Sequence, residues 1–160
     1  MDDTTENKRT PVQLLAFVID GQLYALRIAI VVRVVRMVAL TTVPKAPPIF
    51  LGLLNWQGEV IPVVDARGRF GLRAKDPESD DQLIIARTRT GPVCLPVDVV
   101  SGVIERSTDE IKAPEEIARG LEYVAGVTKL DDQILFIHDL DRFLSTDEHA
   151  ALDEVLAEIG

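Results

Sequence analysis

Residues Gly52–Phe70 read GLLNWQGEVIPVVDARGRF. An apolar run (Leu53, Leu54) reaches a Gln57-Gly58 turn. It continues through the β-branched series Val60, Ile61, Pro62, Val63, Val64 and stops at Asp65. Two such runs about a Gly-containing dipeptide predict a β-hairpin. Asp65 suits the N-cap of a helical turn over the basic segment Ala66 to Phe70, because its carboxylate can accept the exposed N–H groups there.

The chain writes this stretch a second time. Residues Gly126–Phe143 read GVTKLDDQILFIHDLDRF, and both Gly52 to Gly126 and Asp65 to Asp139 are 74 positions apart. Asp131-Asp132 answers Gln57-Gly58, and Arg142-Phe143 answers Arg69-Phe70, one residue shorter. Upstream, Leu14 to Ile28 (LLAFVIDGQLYALRI) resembles Leu83 to Val97 (LIIARTRTGPVCLPV), with turns expected at Asp20-Gly21 and Thr90-Gly91. An internal repeat of this size predicts two related small domains or a pseudo-symmetric pair of barrels, against the alternative of a chance match between hairpins.

Composition agrees with strands. Of 160 residues, 47% are hydrophobic and only 5% aromatic, so the core must be built from Val, Ile and Leu. That length suits one domain or two tightly packed small ones. With 26 acidic against 17 basic residues the net charge is −9, which disfavours nucleic acid and anionic membrane as direct partners. A single cysteine, Cys94, excludes an internal disulfide framework and reads as a buried small hydrophobe rather than a nucleophile. The longest apolar run, Ile28 to Leu40, is interrupted by Arg33 and Arg36 and is too short to span a bilayer. No signal-peptide pattern opens the chain, so a cytoplasmic location is expected.

In order, residues 1–12 are expected to be a disordered arm. A hairpin follows, then a third strand over Ala29–Met37 after a helical turn near Ile28. Its arginines at 33 and 36 break strict alternation and predict a bulge or a twist. Pro44, Pro47 and Pro48 exclude regular structure before the Gly52 hairpin, and Lys75 to Asp81 reads as a loop. Beyond Val97, an extended piece is expected over Val99–Glu105, a capping box at Ser107–Glu110 and a short turn over Pro114–Arg119. Residues 145–160 read as an acidic amphipathic helix. Ser145 and Glu148 form a capping box, and Leu152, Val155, Leu156 and Ile159 make one apolar stripe. The stripe either docks on the protein's own barrels or meets a partner.

Catalytic patterns are missing. His138 falls in the second hairpin and His149 in the acidic helix, neither with spaced metal-ligand neighbours. Asp65 and Asp139 are explained by capping, and there is no phosphate loop or nucleophile elbow. A non-enzymatic binding module without metal or cofactor is expected.

Gly52, Asn55, Gly58, Ile61-Pro62-Val63, Asp65 and Arg69-Phe70-Gly71 together resemble the signature segment of CheW-like chemotaxis coupling proteins. Phe17, Tyr24 and the Val31–Val35 strand fit the same family in the first half; Val97-Asp98-Val100 and Gly126–Phe143 fit it in the second. The resemblance covers about residues 13–158. It implies a mainly β fold of two packed five-stranded SH3-like or OB-like barrels with short helices and a C-terminal helix. The barrels would occupy about residues 13–75 and 82–144. It also implies a non-catalytic scaffold that couples chemoreceptors to a CheA-type histidine kinase. The kinase's regulatory domain would pair with barrel ends, and the receptor's helical tip would lie in a groove between the barrels, so that membrane contact is indirect.

Carried over by position, the partner surface is Val31, Arg33 and Val34 with the hairpin residues Gly52, Asn55, Trp56, Gln57 and Gly58. Val31 and Val34 are equally explained as core, and Trp56 as a half-buried structural residue. The chain departs from the family at two places. Gln57 stands where the family usually has Arg, which removes a charge and a planar fork. Arg33 stands where it often has an acidic residue. These departures point to altered partners, such as those of a twitching, gliding or other chemosensory pathway, or to a loss of array binding. The rival from another class is a ligand-sensing β-barrel, which would need an internal cavity.

Overall fold

The computed structural model describes residues 10–44, 46–73, 75–117 and 123–159. Among these residues ten strands build two five-stranded sheets. The strands are β1 (Pro11–Ile19), β2 (Gln22–Arg27), β3 (Val31–Arg36), β4 (Phe50–Trp56) and β5 (Glu59–Val64), then β6 (Gln82–Thr88), β7 (Gly91–Val97), β8 (Val99–Ser107), β9 (Val124–Leu130) and β10 (Gln133–His138). Among the described residues, two short helices join them, α1 (Ala66–Arg69) and α2 (Pro114–Ile117), and a longer C-terminal helix, α3 (Thr146–Ile159), follows the last strand. A 3-10 turn over Ile28–Ile30 precedes β3, as expected from the sequence. The expected arm is shorter than residues 1–12, since Pro11 and Val12 pair with Ser107 and Arg106; its residues 1–9, and Arg119 of the expected turn, lie outside the described residues.

Each half of the chain has the same order: hairpin, single strand, hairpin, N-capped turn. The two sheets do not coincide with these halves. Their strand orders are β8-β1-β2-β10-β9 and β3-β6-β7-β5-β4. The expected division at about residues 75–82 is therefore corrected: each sheet takes its first hairpin from one half and its remaining three strands from the other. The exchange is made by the parallel pairs β2–β10 and β5–β7. Hereafter barrel A contains β1 and barrel B contains β3.

Closure follows one rule in both barrels. The chain leaving edge strand β3 returns to the far edge, where Thr41 and Leu53 exchange backbone bonds of 2.9 and 2.8 Å. Lys112 and Val127 do the same beyond β8, at 2.8 and 2.9 Å. The residue before each far-edge partner is glycine. A Cβ on Gly52 would stand 2.8 Å from the Thr41 carbonyl oxygen, and one on Gly126 2.6 Å from a methyl of Ile111.

Period-2 alternation sends side chains of β1, β2, β6 and β7 to two different cores. Leu14, Ala16, Leu23, Ala25, Leu135 and Ile137 fill barrel A. Leu54, Ile61, Val63, Leu83, Ile85 and Cys94 fill barrel B. Intervening residues such as Leu15, Phe17, Leu26, Ile84, Ala86 and Leu95 form a third core shared between the barrels. Cys94 is a core residue, its thiol pushed up to about 12 by burial. Aromatic rings stitch the shared core: Tyr24 stacks on Phe70 at 4.4 Å, and His138 meets Phe70 and Phe143 edge-on at 4.8 and 5.0 Å.

Turn chemistry decides the hairpins. Asp20-Gly21, Gln57-Gly58 and Asp131-Asp132 all have positive φ at both central residues, as type I′ turns require. The fourth turn lies one residue earlier than expected, at Arg89-Thr90, because Gly91 already pairs with Thr88. Ser145 and Glu148 form the expected capping box of α3, through Glu148 N–H to Ser145 Oγ at 3.2 Å and Ser145 N–H to Glu148 Oε1 at 2.8 Å. Leu152 and Leu156 of α3 pack on the shared core, so the stripe docks on its own protein. The side chain of Ile159 lies outside the described residues.

Candidate partner-binding surface

The repeat has a second offset that the hairpin offset conceals. In the first three strands of each half, equivalent residues are 69 apart, as for Leu14 and Leu83, and this aligns β3 with β8. Both are edge strands, and both are bulged at the same place: one residue is skipped between Val31 and Arg33 opposite β6, and one between Val100 and Gly102 opposite β1.

Directly opposed residues of an antiparallel pair point to one face of the sheet. Val31 and Val34 oppose Ala86 and Ile84. Val100 and Val103 oppose Phe17 and Leu15. All four of those partners belong to the shared core, so the four valines stand on the faces that the barrels turn toward each other. Val31, Val34 and Val100 are half-buried against that core, whereas Val103 is 54% exposed. Gln82 ties the two strands together: it pairs with Arg36 at the end of β3, and its side-chain oxygen accepts the Val100 N–H at 2.7 Å. We refer to the region between these two β-branched edge strands, backed by the shared core and joined through Gln82, as the trough. Three half-buried valines and the exposed Val103 at these edges offer a seat for the apolar stripe of a helix.

Of the residues singled out in the sequence, Val31 and Val34 meet in this trough. Arg33 is exposed and opposes Ile85, a barrel-interior residue, so it stands on the other face of β3 from Val34. Gly52 is buried at the barrel closure. Asn55, Gln57 and Gly58 are exposed at the β4–β5 tip, while Trp56 is half-buried against the interior of barrel B. The eight residues thus fall on two surfaces, a trough and a barrel end. Val100 and Val103 were missed; the 69-residue offset from Val31 and Val34 is the signal that finds them.

Barrel A offers an equivalent end. A cleft of about 360 Å³ is lined by Arg106, Lys112, Val127, Lys129 and Ile134, among others. Arg106 spans it, donating from Nε and Nη2 to the Lys129 carbonyl at 3.2 and 2.8 Å.

The barrels are held together by two polar clasps. Arg67 of α1 donates to Asp98 at 2.6 Å and lies 3.9 Å from Asp20, while the Asp20 N–H donates to Asp98 at 2.8 Å. In the other half, Arg89 lies 3.7 Å from Asp141 and its N–H donates to the same carboxylate at 2.9 Å. Arg69 pairs with Glu148 of α3 and lies over the rings of Tyr123 and Phe143, 5.7 and 5.8 Å from their centroids. Among the described residues there is no cluster of His, Cys, Asp or Glu fit to hold a metal ion, and no helix is long and apolar enough to cross a membrane.

Known proteins are similar to this chain along most of its length. The CheW-like domain model matches residues 13–148. The probable chemotaxis protein CheW of Rhizobium etli is 29% identical over 141 residues, 87% of this chain and 91% of that protein. Chemotaxis protein CheW of Treponema pallidum is 26% identical over 158 residues, 91% of this chain and 93% of that protein. The crystal structure of scaffolding protein TtCheW from Thermoanaerobacter tengcongensis superposes with a TM-score of 0.79 at 29% identity, covering 87% of this chain and 96% of that one. Since the CheW-like domain model spans most of its length, the chain belongs to the CheW-like domain family.

Proposed function

We propose that this chain is a non-catalytic adaptor of a chemosensory pathway, acting in the cytoplasm to couple chemoreceptors to a CheA-type histidine kinase. The trough between β3 and β8 takes the helical tip of the receptor. The exposed barrel ends, with Asn55, Gln57 and Gly58 at one of them, take the kinase's regulatory domain. The observation that carries this reading is the pair of bulged edge strands presenting Val31, Val34, Val100 and Val103 on facing sides of the shared core. An apolar channel of this kind suits an amphipathic helix, which contributes anchors at i, i+3 and i+4. Family membership supports the adaptor role.

Capture experiments test it. The immobilised protein should retain a CheA-type regulatory domain and a receptor signalling tip from the same genome. Val103→Asp should release the receptor and keep the kinase domain, because it puts a charge into the trough and leaves the barrel ends untouched. Failure to capture any kinase regulatory domain of the same genome would sink the adaptor reading.

Arg33 and Gln57 favour a second, narrower reading: an adaptor of a non-flagellar chemosensory pathway with altered partners. Both are exposed, and each differs in charge from the family's usual residue. Gln57→Arg should then shift preference among kinases or receptors without changing the fold. A ligand-sensing role has no comparable support, since side chains fill both barrel interiors.

A further inference from the structure

Asp98 is the last residue before β8, the strand that supplies one wall of the trough. Its backbone N–H donates to Val18 at 2.9 Å, and its carboxylate accepts the Asp20 N–H at 2.8 Å, so the start of β8 is fastened to the first hairpin of barrel A. Barrel B reaches this knot through the chain itself, since its strand β7 ends at Val97, and through one side chain among the described residues. The Arg67 guanidinium, whose side chain is 11% exposed, donates to Asp98 at 2.6 Å. Arg67 is itself fixed, because its N–H caps onto Asp65 at 3.0 Å at the end of the β4–β5 hairpin.

We propose that Arg67 is a positioning residue for partner binding: through Asp98 it sets where β8 lies relative to β3, and so the width of the apolar trough. This rests on the trough being the receptor seat. A charge-assisted bond between two partly buried groups is both stronger and more directional than a neutral one. It acts two residues from Val100, whose own N–H is held by Gln82 from barrel B. The knot therefore transmits the placement of the α1 end of barrel B to the trough wall. The Asn55–Gly58 tip belongs to the same β4–β5 hairpin, so a partner that tilts this hairpin would move β8 through Arg67.

The second clasp is a built-in control. Arg89 and Asp141 join the same two barrels, but Arg89 is 81% exposed and, among the described residues, its clasp has no third member at the start of a trough strand. The position equivalent to Asp98, 69 residues earlier, is Ala29.

The test uses spin labels on the full chain at Val32→Cys and Val103→Cys, both exposed positions, one on each trough strand. Cys94 stays unlabelled because it is buried and its thiol is pushed up to about 12. Pulsed-dipolar distance measurement on the parent should give one narrow distribution. Arg67→Gln should shift or broaden it, and Arg89→Gln should leave it unchanged. If Arg67→Gln does not fold, Asp98→Asn replaces it, since it keeps an acceptor for the Asp20 N–H and loses the charge. Superposable distributions for the parent and the Arg67 or Asp98 variant would overturn the proposal. The labels need no partner present, so this result is separate from the receptor reading, which falls only if Val103→Asp leaves receptor capture intact.

Discussion

Arg67 and Asp141 stand 74 positions apart, each two residues after an N-capping aspartate, and each grips the first-hairpin turn of its own half across the barrel interface. The turn residues they grip, Asp20 and Arg89, are 69 apart and also equivalent. The geometry is kept, at 3.9 and 3.7 Å, while the sign of every charge is reversed. What the repeat preserves here is attraction between two places, not the identity of the residue at either.

The two clasps should differ in strength. The Arg67 and Asp98 side chains are 11% and 30% exposed, those of Arg89 and Asp141 81% and 40%. Double-mutant cycles in urea should give a coupling of roughly 2 kcal/mol for Arg67–Asp98. For Arg89–Asp141 the coupling should stay under about 1 kcal/mol. Equal couplings would mean that burial does not govern these pairs.

The two closure glycines should respond unequally to Ala. At Gly52 the new Cβ meets backbone, the Thr41 carbonyl oxygen at 2.8 Å, and the same carbonyl accepts the Leu53 N–H. At Gly126 the nearest atom is a side-chain methyl of Ile111, which can turn aside. Gly52→Ala should cost about 2–3 kcal/mol, near the upper end for an overpacked site, and Gly126→Ala less. Chemical denaturation of both variants checks the order.

Helix α3 is latched by a cap, an ion pair and two leucines. Ser145→Ala removes a cap and should cost about 1 kcal/mol. Glu148→Ala removes the other half of the capping box and also strands Arg69, whose Nε is already buried without a partner, so it should cost more, roughly 3 kcal/mol. Leu152→Ala opens a gap on the shared core and belongs in the same range, about 2–3 kcal/mol. Amide exchange should show α3 opening before either barrel in all three variants.

His138 makes stability depend on pH. It is buried between Phe70 and Phe143, with both ring nitrogens unpartnered, and burial lowers its pKa from 6.5 to about 3. The unfolded chain therefore binds a proton near pH 6.5 that the folded chain refuses until about pH 3. The stability is fully present above pH 6.5 and is lost as pH falls through that window, at up to about 1.4 kcal/mol per pH unit. His138→Leu should flatten the pH profile of the urea midpoint between pH 6 and 4. An unchanged slope would assign it to carboxylates such as Glu110, whose pKa the hydrogen bonds from Ser107 lower.

Much of the fold was legible because its signals are local. Asp20-Gly21 and Gln57-Gly58 announce type I′ turns, Asp65 and Ser145 announce caps, and Arg33 announces a bulge, each within a few residues of its effect. The exchange of hairpins between halves was not legible. It depends on β5 choosing β7, and β2 choosing β10, as parallel neighbours, and alternation of apolar residues reads the same for any choice of partner. The trough was half legible for a related reason. Val31 and Val34 lie in a strand marked by the family, but Val100 and Val103 become their counterparts only once two offsets, 69 and 74, are recognised. Gly52 was legible as part of a motif, and its reason, the Thr41 carbonyl, needed the closed barrel.

The adaptor account turns on one protein holding two partners at once. Mixing this chain with the regulatory domain of a CheA-type kinase and a receptor signalling tip from the same genome, then measuring mass by light scattering after size exclusion, tests this directly. The account predicts a ternary complex that Val103→Asp reduces to the pair with the kinase domain. Competition between the two partners for this chain, with no ternary species at any ratio, would contradict it.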